Sequence, residues 1–116
     1  MIMLPSAVRI FLCTRPTDLR KSFDGLSGLV QECFGQDLLT GHLFLFLNRR
    51  RDRIKILYFD RDGLAIWYQR LEAGSFQLPH DVPQDGVELQ PAQLAMLLSG
   101  IDLRSARQRK RFQRAS

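Results

Sequence analysis

The chain has 116 residues, of which 45% are hydrophobic and 25% charged. That composition excludes disorder and fits one domain with a real core. The net charge of +5 is held unevenly: residues 104–116 carry six bases and no acid, while the remainder carries eleven bases against twelve acids and is −1. A nearly neutral domain, residues 1–103, with a basic tail, residues 104–116, is therefore expected, and such asymmetry points to a polyanionic partner at the tail.

No apolar run is long enough to span a bilayer, and the N-terminus has no basic region ahead of its apolar residues, so neither a membrane span nor a signal peptide is expected. Cys13 and Cys33 each sit within an apolar run and read as reduced core residues. Together these features predict a cytoplasmic protein.

In chain order, residues 8–14 (VRIFLCT) are β-branched and apolar and read as a strand. In the next segment Phe23, Leu26, Val30, Cys33 and Phe34 recur at helical spacing, with Thr17 or Asp18 as N-cap and Gly35 as the left-handed C-terminal residue. Gly25 and Gly28 fall on a common side, where another backbone could approach closely. Residues 42–48, 53–59 and 64–72 are strand-like, and short polar joins predict an antiparallel meander, with Gly63 supplying positive φ at the second turn. Residues 73–88 are rich in turn-formers and read as irregular, pinned by Phe76 and Leu78. Pro91 then opens a helix whose Leu94, Leu97, Leu98 and Ile101 share a face, and Gly100 stands near its end. The fold class expected is α+β: an N-terminal strand and helix packed on a three-stranded antiparallel meander, followed by a C-terminal helix and the basic tail.

The first meander join carries Arg49, Arg50, Arg51 and Arg53. Guanidinium forks match phosphate oxygens in a bidentate way, whereas a charged hairpin tip can also serve only to discourage edge pairing. Asp60 and Asp62 offer two carboxylates at the second join, too few for a hard-cation site and ordinary for a turn. His42 and His80 have no zinc-ligand spacing with the cysteines and read as structural. There is no phosphate-binding glycine loop. In TDLRKSFDGL (17–26), Arg20 and Lys21 oppose the dipole at a helix start, which fits either anion binding or a helix surface with pairs such as Lys21 with Asp24.

TDLRKSFDGL, the long block from Gly41 to Pro79 and the late QLAMLLSGIDL together resemble the TnpB accessory protein, the second open reading frame of the insertion sequence 66 family. The resemblance covers residues 8–103. Its recurrent motif residues map onto Asp18, Arg20, Lys21, Asp24, Gly41, Asn48, Arg49, Arg50, Asp52, Lys55, Asp60, Gly63, Arg70, Leu71, Glu72 and Pro79. Phe59 and Leu78 stand where relatives often carry Trp, and both keep apolar bulk. The resemblance implies a transposition accessory protein encoded beside a separate catalytic transposase, with no catalytic residues to carry over.

The expectation is a non-enzymatic protein without metal or cofactor. It would contact DNA phosphates without sequence preference, the transposase and other proteins of the same element, near the bacterial nucleoid and with no membrane; homo-oligomerisation stays open. The contact residues expected are Arg20, Lys21, Arg49, Arg50, Arg51, Arg53, Arg104, Arg107, Arg109, Lys110, Arg111 and Arg114. Trp67, Tyr58 and Tyr68 are assigned to the core ahead of base stacking. Two alternatives stand beside this: a small metal-dependent nuclease using Asp60, Asp62 and Glu72, and a pure protein–protein adaptor whose arginines meet acidic side chains.

Overall fold

The computed structural model describes residues 8–78 and 82–100. The chain forms β1 (Ile10–Cys13), α1 (Phe23–Phe34), a 3-10 turn (Leu38–Thr40), β2 (Leu43–Leu47), β3 (Arg53–Asp60), β4 (Gly63–Arg70), β5 (Gly86–Leu89) and α2 (Pro91–Ser99). The strands make one mixed sheet in the order β4-β3-β2-β1-β5. β1 and β2 run parallel, so α1 is the crossover between them, and every other neighbouring pair is antiparallel. The α+β class and the β2–β3–β4 meander are those expected.

Period-two alternation divides the sheet into two apolar faces. On one, Phe44 and Phe46 of β2 join Phe11 and Leu57 beneath Leu26 and Val30 of α1. On the other, Leu43, Leu45 and Leu47 join Ile10, Ile54 and Ile56 beneath Leu94 and Leu97 of α2, with Phe76 completing the cluster. Each such side chain, taken from water to full burial, contributes about 1.5–3 kcal/mol. The caps fit the sequence: Gly35 and Gly100 are both left-handed, and Pro91 opens α2.

Five local expectations are corrected. The first helix begins at Phe23, not at residue 18 or 19, and its N-cap is Ser22, whose side chain makes no capping bond. Asp18 instead accepts from the Arg20 amide at 3.0 Å, and the Thr17 amide donates to the Leu47 carbonyl at 2.8 Å. Residues 17–22 are thus a connecting segment held against the end of β2. Phe23, assigned to the helix core by spacing, is 42% exposed.

No second backbone comes close to Gly25 or Gly28 among the described residues: the three atoms nearest a Cβ on Gly25 belong to the Lys21 side chain, and one on Gly28 would meet open space. At the β3–β4 turn the positive φ of 48° belongs to Arg61, while Gly63 simply begins β4. Finally, residues 86–89 are a strand. β5 pairs antiparallel with β1, Ile10 opposite Leu89 and Cys13 opposite Gly86. Its four residues carry no alternation long enough to be read locally. Ile101 and the basic tail lie outside the described residues.

Gly86 marks where β5 passes under α1. A Cβ built there would stand 3.1 Å from the Phe34 ring and 3.2 Å from the Cys33 carbonyl. Phe34 cannot swing away freely, because its ring already contacts those of Phe11, Phe44 and Phe46. Gly86→Ala is therefore expected to lower stability by about 1–3 kcal/mol in urea unfolding, the usual range for overpacking. An unchanged unfolding midpoint would show that β5 is not held against the helix.

Candidate nucleic-acid interface

The polar tip begins where the apolar alternation of β2 ends, at Asn48. Its Oδ1 accepts from the amides of Asp52 and Arg53 at 3.1 and 3.0 Å, and its Nδ2 donates to Asp52 Oδ1 at 2.6 Å. The Arg51 amide closes a turn onto the Asn48 carbonyl. Arg51 itself is left-handed, with φ of 59°, a conformation that is uncommon for a residue other than glycine. Its carbonyl accepts from Phe76 N at 2.6 Å, and that of Asp52 from Leu71 N at 2.7 Å. Phe76 is fully buried. The tip is therefore clamped to the core by its backbone, while its four arginine side chains stay exposed.

Facing the tip is the 16–20 segment, and between them lies a groove of about 630 Å³. Pro16, Thr17, Asp18, Leu19 and Arg20 form one wall, and Asn48, Arg49, Arg50, Asp52 and Arg53 the other. The two carboxylates are already engaged. Asp18 takes Arg20 in a close pair, Nη2 to Oδ2 at 2.7 Å, and the Arg20 guanidinium and amide hold its carboxyl at about 2, well below the ordinary value. Asp52 is bonded to Asn48. Among the described residues the ion pairs are Arg9 with Glu88, Arg15 with Asp85, Arg20 with Asp18 and Arg70 with Glu72. None involves Arg49, Arg50, Arg51 or Arg53.

The basic surface continues onto the sheet. Lys55 lies opposite Tyr68, and Arg53 opposite Arg70, across β3 and β4. Lys55 Nζ donates to the Lys21 carbonyl at 2.8 Å, which joins the sheet to the segment just ahead of α1. Counting Arg20, Lys21, Arg49, Arg50, Arg51, Arg53, Lys55 and Arg70 against Asp18, Asp24, Asp52 and Glu72, this corner carries +4; the other described residues have three bases and six acids, or −3. The near-neutral domain of the charge count is thus polarised.

The expected contact residues separate accordingly. Arg20, Arg49, Arg50 and Arg53 share the groove, Lys21 lies beside it, and Arg51 shapes the tip. Arg20 is neutralised by Asp18, and no pair forms between Lys21 and Asp24. Arg104, Arg107, Arg109, Lys110, Arg111 and Arg114 lie outside the described residues. Lys55, Arg70 and Tyr68 were missed as members of this surface. The available signal was the β4 alternation, which sets Tyr68 and Arg70 on the face opposite Trp67.

The family described as IS66 Orf2 like protein matches residues 8–108, most of the chain. The chain belongs to that family. Two Sinorhizobium fredii proteins of strain NBRC 101917 / NGR234 are similar to it. One, y4hO, is 38% identical over 104 residues, spanning 88% of this chain and 90% of its own. The other, y4jC, is 32% identical over 95 residues, spanning 82% and 80%. No solved structure matches. As an IS66 Orf2-like protein it is a transposition-associated accessory protein of an insertion sequence.

Other candidate chemistry in this IS66 Orf2-like chain does not assemble. Asp60 and Asp62 sit at the β3–β4 turn, whereas Glu72 follows the far end of β4. Eight residues of strand at about 3.3 Å each put roughly 20 Å or more between them. Among the described residues no three His, Cys, Asp or Glu side chains converge on a metal position, and no helix is long and apolar enough to cross a membrane. His42 Nδ1 accepts from the Arg9 amide at 3.0 Å; burial, with Arg9 nearby, lowers its pKa and favours the neutral ring that this bond requires. His80 lies outside the described residues. Cys13 and Cys33 are free thiols with sulfurs 3.3 Å apart. Burial, reinforced by the hydrogen bond to Cys33, pushes the Cys13 thiol up to about 11.

The tip geometry rests on one side chain. Asn48→Ala removes three hydrogen bonds and leaves the amides of Asp52 and Arg53 without that acceptor. A loss of about 1–3 kcal/mol is expected in chemical denaturation. Full stability would mean that the backbone clamps from Leu71 and Phe76 suffice to hold the turn.

Proposed function

We propose that this accessory protein holds nucleic-acid phosphates during transposition, through the arginine corner and with help from its basic tail, and catalyses no step itself. The observation that carries the reading is a groove whose Arg49, Arg50 and Arg53 have no carboxylate partner among the described residues, on a tip fixed by its own backbone. An unpaired guanidinium keeps its donors for an incoming phosphate, and a fixed tip loses less freedom on binding than a mobile loop would. Such contacts fix position on a strand and do not read its sequence. A compact unit through Leu103 followed by a basic segment is part of the same proposal, as is contact with the transposase of the element.

Arg49→Ala combined with Arg50→Ala tests the corner. Both side chains are exposed, so stability should move by no more than about 0.5 kcal/mol. Affinity for duplex DNA should fall, and the slope of log affinity against log salt should become shallower by about 0.9 for each phosphate no longer neutralised. Unchanged affinity and slope, with loss of transposase capture instead, would assign the corner to a protein partner.

Truncation after Leu103 tests the tail. Its six bases would contribute a slope of roughly −5 if all met phosphate, and about −3 to −4 with partial engagement. The shortened chain should fold, bind DNA more weakly and show a correspondingly shallower salt dependence. Identical affinity and slope in the truncated chain would leave the corner as the sole phosphate surface.

A further inference from the structure

Three aromatic side chains of the meander look alike in sequence, yet the fold separates them. Tyr58 and Trp67 pack against the α2-side core. Tyr68 does not: it stands on the opposite face of β4, at the open edge of the sheet, and is 48% exposed. Its surroundings are cationic. Arg53, a groove residue, directs Nη1 to the Tyr68 hydroxyl at 3.3 Å, and Lys55 Nζ lies 5.1 Å from the ring centroid. Lys55 also reaches the Lys21 carbonyl, two residues before Phe23, the other exposed aromatic among the described residues.

Neither apolar core requires an exposed ring at this place, since Tyr68 belongs to neither. Phosphate contact alone does not call for one either, because guanidinium and ammonium groups suffice. Aromatic faces set beside cations fit a strand whose bases are free to stack, since duplex DNA keeps its base faces inside the helix. We propose that this corner binds unpaired nucleotides of a single strand, with Tyr68 stacking on a base while Arg53 and Lys55 meet the phosphates on either side. This rests on the phosphate reading of the groove and adds the form of nucleic acid it takes.

The test uses the full chain with a labelled oligodeoxythymidine and a labelled duplex of the same length, read by fluorescence anisotropy. Tyr68→Ala is expected to weaken binding of the oligodeoxythymidine by about tenfold and to leave duplex affinity within about twofold, because stacking is worth that much per base. Tyr68→Phe keeps the ring and should retain most single-strand affinity, which separates stacking from the hydroxyl bond to Arg53. Thermal melting by circular dichroism establishes that both variants fold. Single-strand affinity unchanged in folded Tyr68→Ala, with duplex binding intact, would overturn the stacking proposal and leave the phosphate reading standing. Equal loss on both forms would also overturn it, by making the ring a support for the groove. Failure of the unaltered protein to bind either form would overturn both.

Discussion

Strand β2 is buried on both faces, all five of its residues lying in the interior, and the rest of the molecule follows from that constraint. A strand with leucines on one side and phenylalanines on the other needs a cover on each. It also needs a partner along each edge, because buried backbone amides and carbonyls must be paired. β1 and β3 satisfy the edges, and α1 and α2 supply the covers. Polar chain can then leave the interior only at the strand's ends, and Asn48 is the first residue at which it does. The arginines therefore stand at the end of a strand buried along its whole length.

That position changes what four neighbouring positive charges mean. On a loose loop they would spread apart, and their mutual repulsion would be largely screened. Here Asn48, Leu71 and Phe76 fix the backbone that carries them, and Arg51 adopts a left-handed conformation that costs of order 1 kcal/mol or more. The molecule tolerates both strain and like-charge crowding at one place. The carboxylates near by do not relieve the crowding: Asp18 is committed to Arg20 and Asp52 to Asn48. The β3–β4 turn also has a left-handed residue, Arg61 with φ of 48°, so the backbone clamp and the charge crowding are what set the first turn apart.

What could be read from the residues was whatever depended on local period and local punctuation. β2 announced itself as an almost unbroken apolar run, β3 and β4 by alternation, and the α2 ends by Pro91 and Gly100. The start of α1 was misplaced because Asp18 and Thr17 are good N-cap residues by type, but the Thr17 amide is drawn to Leu47, thirty positions away. β5 was missed because its identity lies in its pairing with β1, which four residues containing one glycine do not advertise. The groove was invisible for the same reason. The segment 17–26, with Arg20 and Lys21, and the arginine turn 49–53 each stand out in the sequence, yet only the parallel pairing of β1 with β2 brings their ends together. Tyr68 was grouped with Trp67 by chemical type, although the one-residue offset between them puts them on opposite faces.

The charge count also looked different once folded. By composition the domain is −1 through residue 103 and the tail is +6, which assigns all attraction for polyanions to the tail. Net charge is the relevant quantity only where screening is weak. At physiological salt the Debye length is about 8 Å, so a phosphate approaching the groove feels the local +4 of the corner and little of the acids elsewhere. On the proposed reading, the charge of residues 104–116 would count most at low salt, where it sets the sign of the whole chain. At the salt of a cell the corner would keep its attraction at contact distance, and it adds geometry, through guanidiniums on a backbone-held tip and an aromatic ring beside them.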